Sequence, residues 1–136
     1  MSFGNTTETD ILNKLFKNTS LPFDAITDLY LSLHTADPGE AGDQTTSEAT
    51  YTSYARVAVN RSGTGWTVSG ATSQNAALVQ FPTATGGSNV ITHVAIGTVV
   101  SGVGQILVSG ALNSSLTVSS GIQPQFSAGA LVFTLD

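Results

Sequence analysis

Cysteine is absent from this chain of 136 residues. Its absence removes disulfides, thiolate-held metals and thiol nucleophiles together. It also suits a protein assembled in a reducing cytoplasm that later works outside the cell. Cations are nearly as scarce: Lys14, Lys17, Arg56 and Arg61 are the whole set. Such scattered basic side chains form no stripe, which excludes phosphate-led nucleic-acid binding and argues against an anionic membrane surface. Only 10% of residues are charged, so the net charge of −5 rests on few ions. No apolar run approaches the roughly 20 residues of a membrane-spanning helix. Residues 1–5 offer neither a basic nor an apolar segment, so no signal peptide is expected there. Self-similarity at solenoid or propeller period is missing as well.

What the chain has in excess is hydroxyl groups. Ser and Thr supply about a quarter of its residues, above the usual share, so hydroxyls rather than ions must cover the surface. Such low-charge composition, rich in Thr, Ser, Gly and Val, goes with β-rich extracellular and virion proteins, whose wet faces tolerate cross-strand Thr pairs. With 40% apolar residues and clean alternating runs, disorder is not expected. The length fits a single domain, residues 1–136, with an N-terminal arm and helix over 1–20 and a β-sandwich over 29–136.

The helical pattern lies in residues 6–18. Thr7 and Asp10 have the spacing of a capping box, while Ile11, Leu12, Leu15 and Phe16 share one face. Acidic Glu8 and Asp10 come first and Lys14 and Lys17 last, as the helix dipole prefers. The apolar face is expected to pack on the chain's own sheet; the functional alternative is an arm docked on a neighbouring subunit. From Leu29 onward the period is two. Leu29, Leu31 and Leu33 alternate with Tyr30, Ser32 and His34 until Asp37-Pro38-Gly39 stops the strand. Ala55, Val57 and Val59 resume the alternation. Further strands are expected at 76–81, 90–97, 105–112, 116–118, 125–126 and 130–135, with Gly, Pro and Ser between them. This predicts a mainly β fold, a two-sheet β-sandwich of about eight short antiparallel strands with one short N-terminal helix. Trp66, in a Gly-punctuated turn over 61–69, is expected to plug one end of the sandwich.

Residues 29–59, LYLSLHTADPGEAGDQTTSEATYTSYARVAV, carry the most specific signal. The LYLSLHTADPGEAG opening, YARVAV at 54–59 and the closing FSAGALVFTLD at 126–136 resemble a family of small tailed-bacteriophage virion proteins. The likeness covers residues 29–136 in outline and is tight at those three places. Members are described as capsid decoration (cement) proteins, or as tail or tail-fibre proteins. The resemblance implies a structural protein rather than an enzyme, without cofactor, assembled in the host cytoplasm and placed on the capsid surface of the virion. Its implied partners are the major capsid protein and copies of itself, as a homotrimer that braces the shell. Two further readings are a tail or tail-fibre component and a carbohydrate-binding β-sandwich for host attachment. The last would draw on Tyr30, Tyr51, Tyr54 and Trp66. Candidate subunit contacts are Phe3, Ile11, Leu15 and Phe16 in the N-terminal segment, and Asp37, Glu40 and Asp43 in the polar loop over 37–50.

Catalytic chemistry is hard to assemble from these residues. Asp37, Glu40, Asp43 and Glu48 cluster in sequence but lack the alternate ligand order and closing bidentate Glu of an EF-hand, so no metal is expected. His34 and His93 are the only histidines, and no G-x-S-x-G elbow presents a serine to them. His34 falls on the outward register of its strand, where a surface or interface role is expected. Gly86-Gly87 and the Gly102/Gly104 spacing lack a following helix with a Lys-Ser/Thr pair and read as hairpin turns. The carboxylates outside the loop lie mostly near the helix, which leaves no facing pair for glycoside hydrolysis. A small-molecule substrate is therefore not expected, and neither is a nucleic-acid or membrane partner.

Overall fold

The computed structural model describes residues 1–135; Asp136, the last residue of the closing motif, lies outside the described residues. In chain order the elements are β1 (Ser2–Phe3), α1 (Asn5–Lys17), β2 (Asp28–His34), β3 (Val57–Asn60), β4 (Trp66–Ser69), β5 (Thr72–Asn75), β6 (Val79–Gln80), β7 (Ser88–Gly97), β8 (Ile106–Ser119), β9 (Gln125–Phe126) and β10 (Val132–Thr134).

The Leu alternation builds the largest sheet. β2 lies between β7 and β3 in a five-stranded antiparallel sheet of order β1-β8-β7-β2-β3. On its inner face Leu31 opposes Ile96 and Leu33 opposes Val94, and all four are buried. A three-stranded sheet (β10-β5-β4) and a two-stranded one (β6-β9) supply the second layer. That layer brings Val79, Phe81 and Leu131 into one core with the leucines. Edge-to-face contacts of Phe3 with Phe133, at 5.0 Å, and of Phe81 with Phe126, at 6.3 Å, add aromatic packing to that core. The result is the expected mainly β, sandwich-like architecture with one short helix, but with layers of unequal size.

Three details differ from the sequence reading. The segments 105–112 and 116–118 form one long strand, β8. The anticipated break survives only as a register slip between the Ile91–Leu116 and His93–Ala111 pairs. β4 forms where a turn was expected and β5 where no element was, and a hairpin over Gly70 at φ 58° joins them. β1 also pairs with β8, Phe3 opposite Val108, so the first residues form an edge strand of the chain's own sheet.

The helix departs further. Gly4 is its N-cap and makes no side-chain cap, so the Thr7–Asp10 capping box does not form. Instead Thr7 Oγ1 donates to the Ile106 carbonyl at 3.0 Å, and Gln105 Nε2 donates to Thr7 Oγ1 and Asp10 Oδ2, both at 2.9 Å. The two residues pin the helix to the start of β8 because Thr7 lies inside the first turns, facing the sheet. Gly4 permits this approach: a Cβ there would sit 2.6 Å from the Ile106 oxygen. With a polar residue facing inward, the predicted apolar face turns away from the sheet. Ile11 is half-buried, while Leu12, Leu15 and Phe16 are exposed.

Candidate functional site

The polar loop between β2 and β3 is not held out into solvent. It returns across the outer face of the large sheet as a strap, because its backbone finds partners there. The Thr35 N–H donates to the Ser47 carbonyl at 2.8 Å and the Gln44 N–H to the Gly104 carbonyl at 3.0 Å. At the far side the Asn5 N–H, at the start of α1, donates to the Glu40 carbonyl at 2.9 Å. The Gln44 side chain, fully buried, accepts from the Thr98 and Val99 N–H groups, both at 3.0 Å. Gly97 and Gly104 leave room for it: a Cβ at either would come within 2.1 Å of the Gln44 side chain. These glycines serve a close approach as much as a turn.

Beneath the strap lies a hydrogen-bonded Ser–His pair. Ser32 Oγ is 2.8 Å from His34 Nε2, and His34 Nδ1 is 2.8 Å from the Thr46 carbonyl. A carbonyl can only accept, so the ring proton sits on Nδ1 and Nε2 accepts from the Ser32 hydroxyl. This tautomer resembles that of a hydrolase dyad. Both side chains, however, have zero exposure, so no acyl group reaches Oγ. Burial, the largest influence, lowers the His34 pKa from 6.5, against upward pulls from the Thr46 carbonyl and Glu48. The expected surface role of His34 is therefore corrected: the strap converts the outward register into a second buried layer.

The YARVAV segment supplies a clasp. Arg56 Nε and Nη2 donate to the two carboxylate oxygens of Glu48 at 2.7 and 2.8 Å. Nη1 and Nη2 also donate to the carbonyls of Val99 and Gly102 at 3.0 and 2.9 Å. The Tyr54 O–H donates to Glu48 Oε1 at 2.9 Å and accepts the Leu33 N–H at 3.1 Å. Burial pushes the Tyr54 pKa far up, so the phenol stays a donor, and hydrogen bonding to Glu48 raises that of Arg56. Strap, β2 and the β7–β8 turn are thereby tied through one guanidinium, one carboxylate and the Tyr54 phenol.

The loop carboxylates do not converge. Asp37 Oδ1 accepts from the Gly39 N–H at 2.9 Å, and Asp43 Oδ1 accepts from the N–H and hydroxyl of Thr45 at 2.7 and 2.6 Å. The Thr45 hydroxyl leads in lowering the Asp43 pKa. Among the described residues no group of three or more His, Asp or Glu side chains is placed to hold a metal ion.

The remaining candidates separate into enclosed and open groups. Phe3 is half-buried against Phe133, and Asp43 is half-buried in its own turn. Asp37 and Glu40 are exposed on the strap, and Leu15 and Phe16 on the helix. Ile11 forms one wall of an apolar groove of about 650 Å³ with Phe23, Leu29, Trp66, Val68 and Phe133. The Trp66 indole N–H is buried without a hydrogen-bond partner. Tyr51 and Tyr54 pack edge-to-face at 5.3 Å, and Tyr54 stacks over Phe81 in the core. The four aromatics considered for a sugar platform are therefore not presented together. Sequence reasoning missed Gln44 altogether; its only trace is the pair of glycines that make room for it.

No curated protein matches the chain. A family model described as podophage GP4 fiber I protein gp80 matches residues 2–134, a span that includes the helix, the strap and its clasp, and the closing strand. The chain therefore belongs to the Gp80 family, the podophage GP4 fiber I proteins, a family of tailed-phage virion proteins.

Proposed function

We propose that this chain is a non-enzymatic structural subunit on the outside of a tailed-phage particle, acting by contact with other virion subunits. One inversion carries the reading. The hydrogen-bonded groups Ser32, His34 and Arg56 are buried, half-buried His93 bonds its neighbour Thr92, and apolar Leu12, Leu15 and Phe16 stand in solvent. In the decoration reading the chain sits on the outer head surface as a homotrimer, binds the major capsid protein and braces the shell. A second reading, a component of a fibre, is favoured by the family description. Copy number on purified particles separates them. Copies in proportion to the capsid subunits support decoration; a small fixed number, co-purifying with tails, supports the fibre.

Asp37 and Glu40 are the exposed charges of the strap and are proposed to contact a virion partner. Replacing them together (Asp37→Asn, Glu40→Gln) should lower occupancy on particles lacking the chain without changing its melting temperature. Undiminished occupancy removes them from the interface. Deleting residues 1–5 is a poor test of the N-terminal contacts, because it also removes strand β1.

A further inference from the structure

The apolar side of α1 finds no cover among the described residues of its own chain. Leu12 is 56% exposed, Leu15 70% and Phe16 80%. Ile11 belongs to the same face and also lines the groove, together with Val68, itself 72% exposed. Helical neighbours at i and i+4 lie side by side, so Leu15 stands next to Ile11 and the ridge runs directly into the groove. Among the described residues Arg61 is the only charged one lining the groove. Its guanidinium is already engaged, donating to the Phe23 carbonyl at 2.6 Å and lying over the Phe23 ring. An occupant that brought an ion into these walls would lose hydration with only Arg61, already shared between Phe23 and Asp24, to replace it. The occupant must therefore be apolar, and one copy of this chain displays such a ridge.

We propose that a second copy of this chain covers this surface, with Leu15 and Phe16 of each helix entering the groove of its neighbour. This rests on reading the chain as a subunit of a larger virion structure, where copies meet at high local concentration. Side chains of this size leave on the order of 500 Å² of apolar surface open per copy. Adding the groove walls, a reciprocal pairing removes roughly 1,200 Å² in total, the lower bound for a stable specific interface. Any unrelated partner must supply both a ridge and a groove, whereas a second copy supplies both through twofold symmetry, in a contact separate from the threefold one of the decoration reading.

Sedimentation equilibrium of the full chain, together with emission of Trp66, its only tryptophan, tests this. The wild type should sediment as a dimer of the 13.9 kDa chain, with Trp66 emission shifting to the blue as concentration rises. The double variant Leu15→Asp, Phe16→Asp changes only exposed positions and should keep the wild-type circular dichroism while weakening association by about 100-fold or more. Val68→Lys, at an exposed residue that lines the groove, should weaken it from the groove side. A wild type that is monomeric throughout, or variants that associate as the wild type does, would overturn the proposal. A monomer whose Trp66 emission shifts only with phosphatidylcholine vesicles would also overturn it and assign the surface to lipid. A monomeric chain that is nonetheless found on purified particles would overturn self-association and leave the virion reading standing.

Discussion

Removing the carboxylate of Glu48 tests the strap most sharply. The Arg56 side chain is 2% exposed and that of Glu48 17%, so Glu48→Ala leaves a buried guanidinium without its counter-charge. Breaking a buried pair by deleting one partner costs about 3–5 kcal/mol. Arg56 keeps the carbonyls of Val99 and Gly102, which places the expected loss near the lower end, about 3 kcal/mol. For a domain of this length that corresponds to a fall in melting temperature of roughly 12 °C. Urea unfolding should show a lower midpoint with unchanged slope, since the surface exposed on unfolding is the same. Arg56→Met, apolar and unbranched, completes a double-mutant cycle. It should cost at least about 2 kcal/mol less in the Glu48→Ala background than in the wild type, because the stranded charge is gone. A loss below about 1 kcal/mol, or an additive cycle, is the behaviour of an exposed ion pair. Either would refute the clasp as a structural element.

Two further perturbations address the layer beneath the strap. Because burial lowers the folded-state pKa of His34, its neutral ring stabilises the fold fully above the unfolded value of 6.5. That contribution is lost as pH falls below 6.5, by up to about 1.4 kcal/mol per pH unit. The stability difference between wild type and His34→Gln should therefore shrink between pH 7 and pH 5, and an unchanged difference would contradict a buried neutral ring. Gly97→Ala drives a methyl into the Gln44 side chain and should cost about 1–3 kcal/mol by overpacking. Most of that cost should vanish in a Gln44→Ala background, as read by thermal melts; equal cost in both backgrounds would separate Gly97 from Gln44.

The strands that run through the core were legible because burial on one face imposes period two. Leu29, Leu31 and Leu33 show it, as do Val94 and Ile96 across the β7 pairing. The β4–β5 hairpin was not legible because, although Trp66 and Val68 alternate with Thr67 and Ser69, the Gly-punctuated run around them reads as a turn, and Thr72–Asn75 carries no apolar residue. The apolar face of the helix was found correctly in composition but assigned to the wrong side. Periodicity locates a face; what it touches depended on Thr7 bonding to the Ile106 carbonyl, 99 residues away. In sequence the strap is only a polar loop, for a similar reason. Its polar residues suit solvent equally well, and only the backbone partners at Glu40, Gln44 and Ser47 reveal that it lies on the sheet. The Ser32–His34 pair was hidden by the same rule that exposed the leucines. Alternation assigns both residues to the outward face, and nothing local states that this face is covered.

Antibody labelling of intact purified particles by electron microscopy tests the central claim most directly, because a structural subunit on the virion exterior must be present and accessible without opening the particle. Gold on the outer surface of particles carrying the chain, and none on particles from phage lacking its gene, is the predicted result. Purified particles that contain no detectable chain by both labelling and mass spectrometry would contradict it.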